Sequence, residues 1–336
     1  MTCPRPEPRS RVPTPSPPAC KRCETSAASP VPWRKARFRL LDVHTRLSMT
    51  CLPLMPVVLD VGAATLAEQQ ALTSDSVAYA KSAVALNVED GASWYQLAMA
   101  LMAHAFAHRR TRAADLAPAS KAFAHAAKNG AALDADLCFN RGTLLRFLDD
   151  VQGALDCFRE AGALDPELPW QSRVDALFAE VARVHDLVSN RGRLKPKRLV
   201  EACAALSALQ PPAGFSAVTV KALSDAANDG CAALFTVVAM ASPPGAVPLV
   251  IAAVDAGGDC CAVSTFGVHE AAMREGAILA VLAPVPTHVV ATLPDGRQPA
   301  YTVLRVEGIE SLRFWHRGAW TAPQAERQTP SVRFQV

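Results

Sequence analysis

The sequence contains no uninterrupted apolar stretch of about 18 residues, the length that a membrane-spanning helix requires. We therefore predict no membrane-spanning segment and no membrane partner. The sequence also lacks a nucleophile elbow, a phosphate-binding loop and a pair of carboxylates at a catalytic spacing, so we predict neither a catalytic residue nor a cofactor. Its net charge of +3 is too small to favour acidic or basic partners. These absences leave no signature of an enzyme.

The 10 cysteines follow no regular spacing, and a disulfide framework is therefore not predicted. Cys20 and Cys23 form one C-x-x-C pair, but a structural zinc site needs four ligands and no second pair follows. His104 and His108 lie one helical turn apart, and no third ligand lies close to them in the sequence. We interpret these four residues as coincidental or solvated and predict no metal site.

A 34-residue register runs through the middle of the chain. It places small and large residues at the positions where two antiparallel helices approach each other: Gly142 at position 8, Leu145 at 11, Ala154 at 20, Phe158 at 24, Ala161 at 27 and Pro166 at 32. This pattern is typical of a tetratricopeptide (TPR) helix hairpin. Such hairpins stack into solenoids whose concave surface binds peptides and which seldom carry catalytic chemistry.

Neighbouring units extend this register. The preceding unit has matching residues in both of its helices, namely Trp94, Leu97, Ala98 and Leu101, then Ala119, Phe123 and Ala126. About nine extra residues separate the two helices, which predicts a long internal loop from His108 to Pro118. An earlier second helix is indicated by Ser76, Ala80 and Ala83.

An apolar stripe at helical spacing follows the last hairpin and consists of Trp170, Val174, Leu177, Phe178, Val181 and Val184. This stripe predicts a capping helix that covers the end of the stack. Because a stable solenoid usually needs at least three repeats, we predict that the missing helices lie between residues 40 and 71.

The helical period ends after Pro211 and Pro212, where short β-rich runs begin. Strands are predicted at residues 216–223, 232–240, 249–255, 260–266, 277–282, 288–292, 301–306 and 312–315, with a short helix at 268–274. Cys260 and Cys261 alternate faces, so one of them is predicted to lie in the core. Seven or eight strands in about 125 residues favour a small Greek-key barrel, with an OB-fold as the leading candidate.

OB-folds often bind single-stranded nucleic acid through a basic groove that contains aromatic platforms. From residue 212 to 336, eight Lys/Arg oppose ten Asp/Glu, a formal charge of −2. The aromatic residues of this region mostly fall on strands, where core packing is their ordinary role. We therefore keep an OB-fold nucleic-acid-binding protein as the second alternative.

The chain is predicted to be a multidomain α-then-β protein, with a TPR helical-hairpin solenoid followed by a small OB-fold-like β-barrel. Residues 1–39 contain nine Lys/Arg, two Glu and many prolines, which predict a disordered tail, with a targeting segment as the alternative. The predicted divisions are a tail at 1–45, TPR repeats with a capping helix at 46–190, a basic linker with a short helix at 191–211, and the OB-fold domain at 212–336.

This order of elements resembles the tetratricopeptide repeat protein 5 (Strap) family. The specific similar segments are Asp75–Val77, Glu89–Tyr95, Asp136–Leu137 with Asn140–Arg141, and Ala163–Pro166. In the barrel, residues 254–263 and 305–307 are also similar. The resemblance implies a non-enzymatic adaptor that recognises nascent tubulin N-termini at the ribosome and promotes tubulin mRNA decay in the cytoplasm. The alternative that it implies is a nuclear scaffold for transcription coactivators in the stress response.

Two sets of binding residues are predicted around positions that match the family. The peptide-binding set is Asp136, Asn140, Arg141 and Glu167, in which Asp136 at repeat position 2 would hold the peptide's amine. The set predicted to contact ribosomal phosphate is Arg193, Lys195, Lys197 and Arg198, because residues 191–198 contain five cations and Pro196 is predicted to hold the segment open. Of these, Lys195 and Lys197 align with the family's ribosome-contacting lysines. Other interpretations are a helix N-cap for Asp136, and a solvated connector or nuclear-import signal for the basic segment.

Two positions depart from the family pattern. Leu52 stands where the family has a groove arginine, and Trp170 stands where it has a second acidic groove residue, with Glu167 close by. The residues upstream of Leu52 do not show the family's earlier repeats. The resemblance therefore predicts the fold more firmly than it predicts the ligand.

Overall fold

The computed structural model describes residues 66–110, 112–130, 134–225, 228–243, 246 and 248–323 of the 336-residue chain. The predicted tail at 1–45, Leu52 and the pair Cys20 and Cys23 lie outside the described residues. The missing helices predicted between residues 40 and 71 fall mostly outside them as well.

Seven helices are described before the first strand. They are α1 (Leu66–Leu86), α2 (Gly91–Ala107), α3 (Ala113–Lys128), α4 (Ala135–Phe147), α5 (Val151–Leu164), α6 (Trp170–Ser189) and α7 (Pro196–Ser207). The pairs α2–α3 and α4–α5 are the two hairpins that the 34-residue register predicts. Gly142, Ala154, Phe158 and Ala161 of that register are buried, whereas Leu145 is half-buried and Pro166, after α5, is exposed. The predicted helical repeats are confirmed.

Gly142 shows why this register specifies a hairpin. A Cβ atom at this position would lie 2.9 Å from the ring of Phe158 on the facing helix and 3.2 Å from the Cβ of Cys157. Both distances are shorter than ordinary van der Waals contact, so a larger residue would push α4 and α5 apart. The two helices also begin with carboxylate caps, because Asp134 accepts from the Leu137 N–H and Asp150 accepts from the Gly153 N–H.

The predicted long loop from His108 to Pro118 is wrong. Helix α2 continues to Ala107 and α3 begins at Ala113, so the extra residues lengthen the helices, and Pro118 lies inside α3. A proline in this position removes the hydrogen bond to the carbonyl of Ala114. Ala114 and Pro118 are both exposed, which lets water replace that bond, whereas the intervening Leu116 is fully buried and favours the helix.

The capping helix is confirmed as α6, which buries Val174, Leu177, Phe178, Val181 and Val184. This helix covers the last hairpin, and it also packs on the sheet. Its apolar residues share a core with Val250, Val289 and Val303 of three different strands. The helices and the sheet are therefore joined through a common apolar core.

Nine strands lie within the described residues of the C-terminal region: β1 (Ser216–Val218), β2 (Cys231–Met240), β3 (Leu249–Asp255), β4 (Cys260–Thr265), β5 (Ile278–Leu282), β6 (Pro286–Val290), β7 (Ala300–Val306), β8 (Leu312–His316) and β9 (Ala319–Thr321). The first eight correspond to the predicted runs. The sequence prediction missed β9, which is three residues long and follows a turn in which Arg317 and Gly318 both have positive φ. The predicted short helix is a single 3₁₀ turn, Glu270–Met273.

The strand order β6-β7-β4-β3-β2-β5-β8-β9 contains an antiparallel meander from β2 to β4, and β1 pairs with β2. Strands β4 and β7 pair in parallel, while β2 and β5 pair in the antiparallel sense. One face of the sheet encloses a core that includes Phe235, Ile251, Cys261, Leu279 and Leu304. The predicted burial of one cysteine is confirmed, since Cys261 lies in this core and Cys260 packs on the other face near α7.

Candidate peptide-binding groove and basic segment

Side chains connect the helices α2, α4 and α6, which begin three successive helical units. Between α2 and α4, the Asn140 amide donates to the Tyr95 hydroxyl at 2.7 Å. Between α4 and α6, the Arg173 guanidinium lies 5.7 Å from the centre of the Phe139 ring. We call the surface formed by α2, α4 and α6 around these contacts the groove. Stacked helical hairpins present an extended concave surface of this kind to ligands.

Asp136 lies in the first turn of α4, one helical turn before Asn140 and three residues before Phe139. It is half-buried. The interpretation of Asp136 as the N-cap of this helix is wrong, because the capping carboxylate belongs to Asp134, which accepts from the Leu137 N–H at 3.1 Å. The carboxylate of Asp136 is therefore not used to begin the helix.

The electrostatic surroundings of Asp136 are acidic. Burial raises the pKa of this carboxyl above its ordinary value of 3.8, and the charges of Asp134 and Asp165 raise it further. Within the described residues, Asp136 forms no ion pair that would offset these effects. A positively charged group bound here would remove an unfavourable interaction and gain a charge-assisted hydrogen bond.

The other predicted peptide-binding residues have different surroundings. Asn140 is fully buried, so its amide holds the Tyr95 hydroxyl in place and links two helices. Burial also raises the pKa of Tyr95, which keeps this hydroxyl neutral. Arg141 is exposed on α4, and Glu167 is exposed after α5, where its backbone N–H donates to the Asp165 carboxylate at 2.9 Å.

Two residues of this surface were missed by the sequence analysis. Asp165 contributes negative charge near Asp136, although the sequence analysis used it only as part of the family-like segment Ala163–Pro166. Arg173 is exposed and lies over Phe139, although the periodicity of α6 identified only its apolar face. The spacing of the register could have identified Arg173, because it lies 34 residues after Phe139.

The basic segment begins with a tightly held turn. Arg191 donates from Nε to the Gly258 carbonyl at 2.9 Å, and Arg193 forms a 2.8 Å ion pair with Asp186. Between them, Gly192 has a φ of 61°, and a Cβ atom there would lie 2.6 Å from the side chain of Val238. Arg193, predicted to contact phosphate, is thus engaged with α6.

Lys195, Lys197 and Arg198 are exposed, as Arg193 is, but unlike Arg193 they form no ion pair with other described residues. Pro196 does not hold this segment open, so that prediction is wrong. It is the first residue of α7, where a proline costs no helical hydrogen bond. Cations at a helix N-terminus oppose the helix dipole, which makes an anionic partner more favourable at this position.

The histidine pair predicted to be solvated lies near the end of α2. The rings of His104 and His108 stack with centres 4.0 Å apart, and burial is the main cause of a lowered pKa for His104. In the part of the chain that the structure describes, no cluster of three or more His, Cys, Asp or Glu side chains has the arrangement of a metal site. None of the described helices is long and apolar enough to cross a membrane.

The fold and the groove define a helical-repeat protein with a C-terminal OB-fold domain, an architecture typical of protein-interaction adaptors. Residues 214–314 match the family model for the Tetratricopeptide repeat protein 5 OB fold domain. Tetratricopeptide repeat protein 5 of Mus musculus is 30% identical over 213 residues, which cover 58% of this chain and 48% of that protein.

The Bos taurus protein of the same name is 30% identical over 214 residues, and the Homo sapiens protein is 29% identical over 213, with the same shares of each chain covered. The predicted resemblance to the tetratricopeptide repeat protein 5 family is therefore confirmed, as is the predicted fold class. The chain spans about half the length of the curated relatives that it matches.

Proposed function

We propose that this protein is a non-enzymatic adaptor whose groove binds the N-terminus of a peptide. The observation that carries the proposal is the half-buried carboxylate of Asp136, whose pKa is raised by burial and by two neighbouring acids. An N-terminal amine is positively charged at neutral pH and donates hydrogen bonds, so it complements this site. Arg173 provides a positive charge on the same surface for an acidic group of the ligand.

The resemblance to the tetratricopeptide repeat protein 5 family supports a nascent tubulin N-terminus as the peptide and decay of tubulin mRNA as the outcome. A newly made chain presents its amine as it leaves the ribosome, which matches a groove that reads an N-terminus. This role places the adaptor in the cytoplasm. The downstream effector would be recruited by surfaces other than the groove.

Ribosome contact is proposed at Lys195, Lys197 and Arg198. Their exposure, their lack of ion pairs among the described residues and their position at the start of α7 support binding to a phosphate backbone. Arg193 contributes less, because its ion pair with Asp186 must be shared or broken. The same exposed cations also fit a nuclear-import signal, which keeps the nuclear scaffold for transcription coactivators as the alternative.

Co-sedimentation with ribosomes that display a tubulin N-terminus or an unrelated N-terminus tests this proposal. The full chain, Asp136→Asn, and a Lys195→Glu/Lys197→Glu double variant would be compared. Asp156→Asn is the matched control for the carboxylate, because Asp156 is an exposed acid on the second helix of the same hairpin. Lys121→Glu/Lys128→Glu on α3 controls for the change in net charge.

We expect tubulin-selective binding by the full chain and both controls. Asp136→Asn should lose selectivity and keep the salt-sensitive contact, whereas the lysine variant should lose ribosome binding altogether. Binding that is indifferent to the displayed peptide would contradict the groove assignment. A complete lack of ribosome binding would contradict the co-translational role and favour the nuclear alternative.

A further inference from the structure

Five side chains of alternating charge connect the helices to the sheet. They are Glu180 on α6, Arg146 on α4, Asp149 in the turn after α4, Arg305 on β7 and Glu307 just after β7, and we call them the charge chain. Each member contacts the next. None of these residues belongs to the proposed peptide-binding or ribosome-binding sets.

Arg305 lies at the centre of the charge chain and is only 7% exposed. Its guanidinium sits 4.3 Å from the centre of the Phe266 ring and 5.6 Å from that of Phe147. Its Nη1 donates to the Phe147 carbonyl at 2.6 Å and to the Asp149 carboxylate at 3.0 Å. One residue of β7 thus holds the last turn of α4 by stacking, hydrogen bonds and charge.

The helical end of the charge chain joins two successive units. Arg146 forms an ion pair with Glu180 on α6 through Nη2, and its Nη1 lies 3.8 Å from the Asp149 carboxylate. Asp149 has a φ of 63°, a conformation that costs free energy in a residue other than glycine. The Ser264 hydroxyl of β4 donates to the same carboxylate at 3.3 Å. The contacts from the sheet therefore hold a strained turn of the hairpin.

The sheet end of the charge chain reaches the preceding hairpin. Glu307 accepts from the Ala113 N–H at 3.0 Å, at the first residue of α3, where a carboxylate is favoured by the helix dipole. Three residues later, Glu310 forms an ion pair with Arg112. The segment at the end of β7 thus contacts the α2–α3 hairpin through Glu307 and the α4–α5 hairpin through Arg305.

We propose that the OB-fold domain sets the angle between the two hairpins through the charge chain, with Arg305 as a positioning residue for the groove. In a simple solenoid, each unit contacts only its neighbours, so the angle between units depends on their shared interface alone. Here the end of β7 contacts α3 of one hairpin through Glu307 and the end of α4 of the next hairpin through Arg305. Because Tyr95 precedes α3 in the first hairpin and Asp136 begins the second, a change in this angle moves the two sides of the groove.

Two consequences can be measured separately. Weakening the charge chain should make the turn after α4 open more often, and this effect does not depend on what the groove binds. It should also weaken peptide binding, and this second consequence rests on the proposed function. Coupling between distant sites is typically about 5–150-fold in affinity, so an effect of this size is measurable by titration.

The test uses the full chain with a Glu307→Gln/Glu310→Gln double variant. It removes the charge of Glu307, at the exposed end of the charge chain, and that of Glu310, the partner of Arg112, while preserving side-chain size. Arg305→Lys is the second variant, since it keeps the charge and loses the paired donors and the planar stacking group. Arg297→Gln is the control, because it removes an exposed ion pair with Asp295 in the same domain. Hydrogen exchange over residues 137–150 and titration with a synthetic peptide carrying a tubulin N-terminus are the two readouts.

We expect both variants to exchange faster over residues 137–150 and to bind the peptide at least about fivefold more weakly, at a temperature where all proteins remain folded. The control should match the unmodified chain in both readouts. Unchanged exchange in both variants would overturn the proposal. If the unmodified chain does not bind the peptide, the proposed function fails, and hydrogen exchange alone then decides whether the charge chain holds the turn.

Discussion

Two aspartates in neighbouring parts of one hairpin have opposite electrostatic surroundings. Burial raises the pKa of both carboxyls. Around Asp149, the guanidiniums of Arg305 and Arg146 oppose this effect, and the Ser264 hydroxyl donates a hydrogen bond. Around Asp136, the neighbours that act on the carboxyl are two further acids, Asp134 and Asp165.

This difference separates a structural charge from a charge that is available for binding. A buried charge that already has its partners holds elements together, and its replacement is expressed mainly as lost stability. A half-buried charge among like charges destabilises the free protein. A ligand group of opposite charge offsets this repulsion when it binds. The comparison assigns Asp149 to the junction between helices and sheet, and Asp136 to the groove.

The largest effect is expected at the junction. Arg305→Met removes the partner of Asp149 and leaves a buried carboxylate without its main compensating charge. Loss of one member of a buried ion pair costs about 3–5 kcal/mol. Chemical denaturation with urea should show a lower free energy of unfolding by this amount. A loss below about 1 kcal/mol, the range of exposed ion pairs, would show that the junction is solvated and that the comparison does not hold.

A smaller effect is expected at Asp134, which sharpens the comparison because it lies two residues from Asp136. Asp134→Ala removes the N-cap of α4 and should cost about 0.5–2 kcal/mol of stability. The same change removes a like charge beside Asp136, so the pKa of Asp136 should fall towards its ordinary value. Urea denaturation gives the stability, and ¹³C NMR of the side-chain carboxyls gives the pKa. An unchanged pKa would mean that Asp134 does not act on the groove carboxylate.

At Asp136 itself, we expect no loss of stability. The folded pKa lies above the ordinary value of 3.8, so ionisation of this carboxyl costs folding free energy above that pH, and the cost vanishes below it. Asp136→Asn removes the charge and should leave the melting temperature at pH 7 equal to or slightly above that of the unmodified chain. A clearly lower melting temperature would identify Asp136 as a structural residue.

The smallest predicted effect is a shift in the pH dependence of binding. The ionised form of Asp136 holds the amine. Affinity for the peptide should therefore fall as the pH is lowered through the pKa that Asp136 has in the free protein, with a midpoint above 3.8. Asp136→Asn should abolish this dependence. Titrations between about pH 3 and pH 7 check the prediction, and a midpoint at or below 3.8 would contradict the acidic surroundings described for this site.

Much of the fold could be predicted from the sequence because local periodicities determine it. The residues of the 34-residue register, such as Gly142 and Phe158, meet across one hairpin, and short β-rich runs located eight of the nine described strands. The internal loop was predicted wrongly because the extra residues were assigned to the connection, whereas α3 begins at Ala113 and contains Pro118 at an exposed position.

The site could be predicted only in part. Asp136 was identified from the family resemblance, and the position of Asp134 as the cap became evident only from the structure. Arg305 lies 156 residues from Asp149, so no local pattern connects them. The cations of the basic segment look equivalent in sequence, yet Arg193 is paired with Asp186 while Lys195, Lys197 and Arg198 form no ion pair with other described residues. These distinctions depend on tertiary contacts.

The most direct test of the groove assignment is calorimetric titration of the full chain with two synthetic peptides that carry the same tubulin N-terminal sequence, one with a free amine and one acetylated. We predict that acetylation weakens binding about tenfold or more, because hydrogen bonds to charged groups contribute about 1.5–3 kcal/mol. We also predict that acetylation has no further effect in Asp136→Asn. Equal binding of both peptides by the unmodified chain would contradict the assignment of Asp136 to an N-terminal amine.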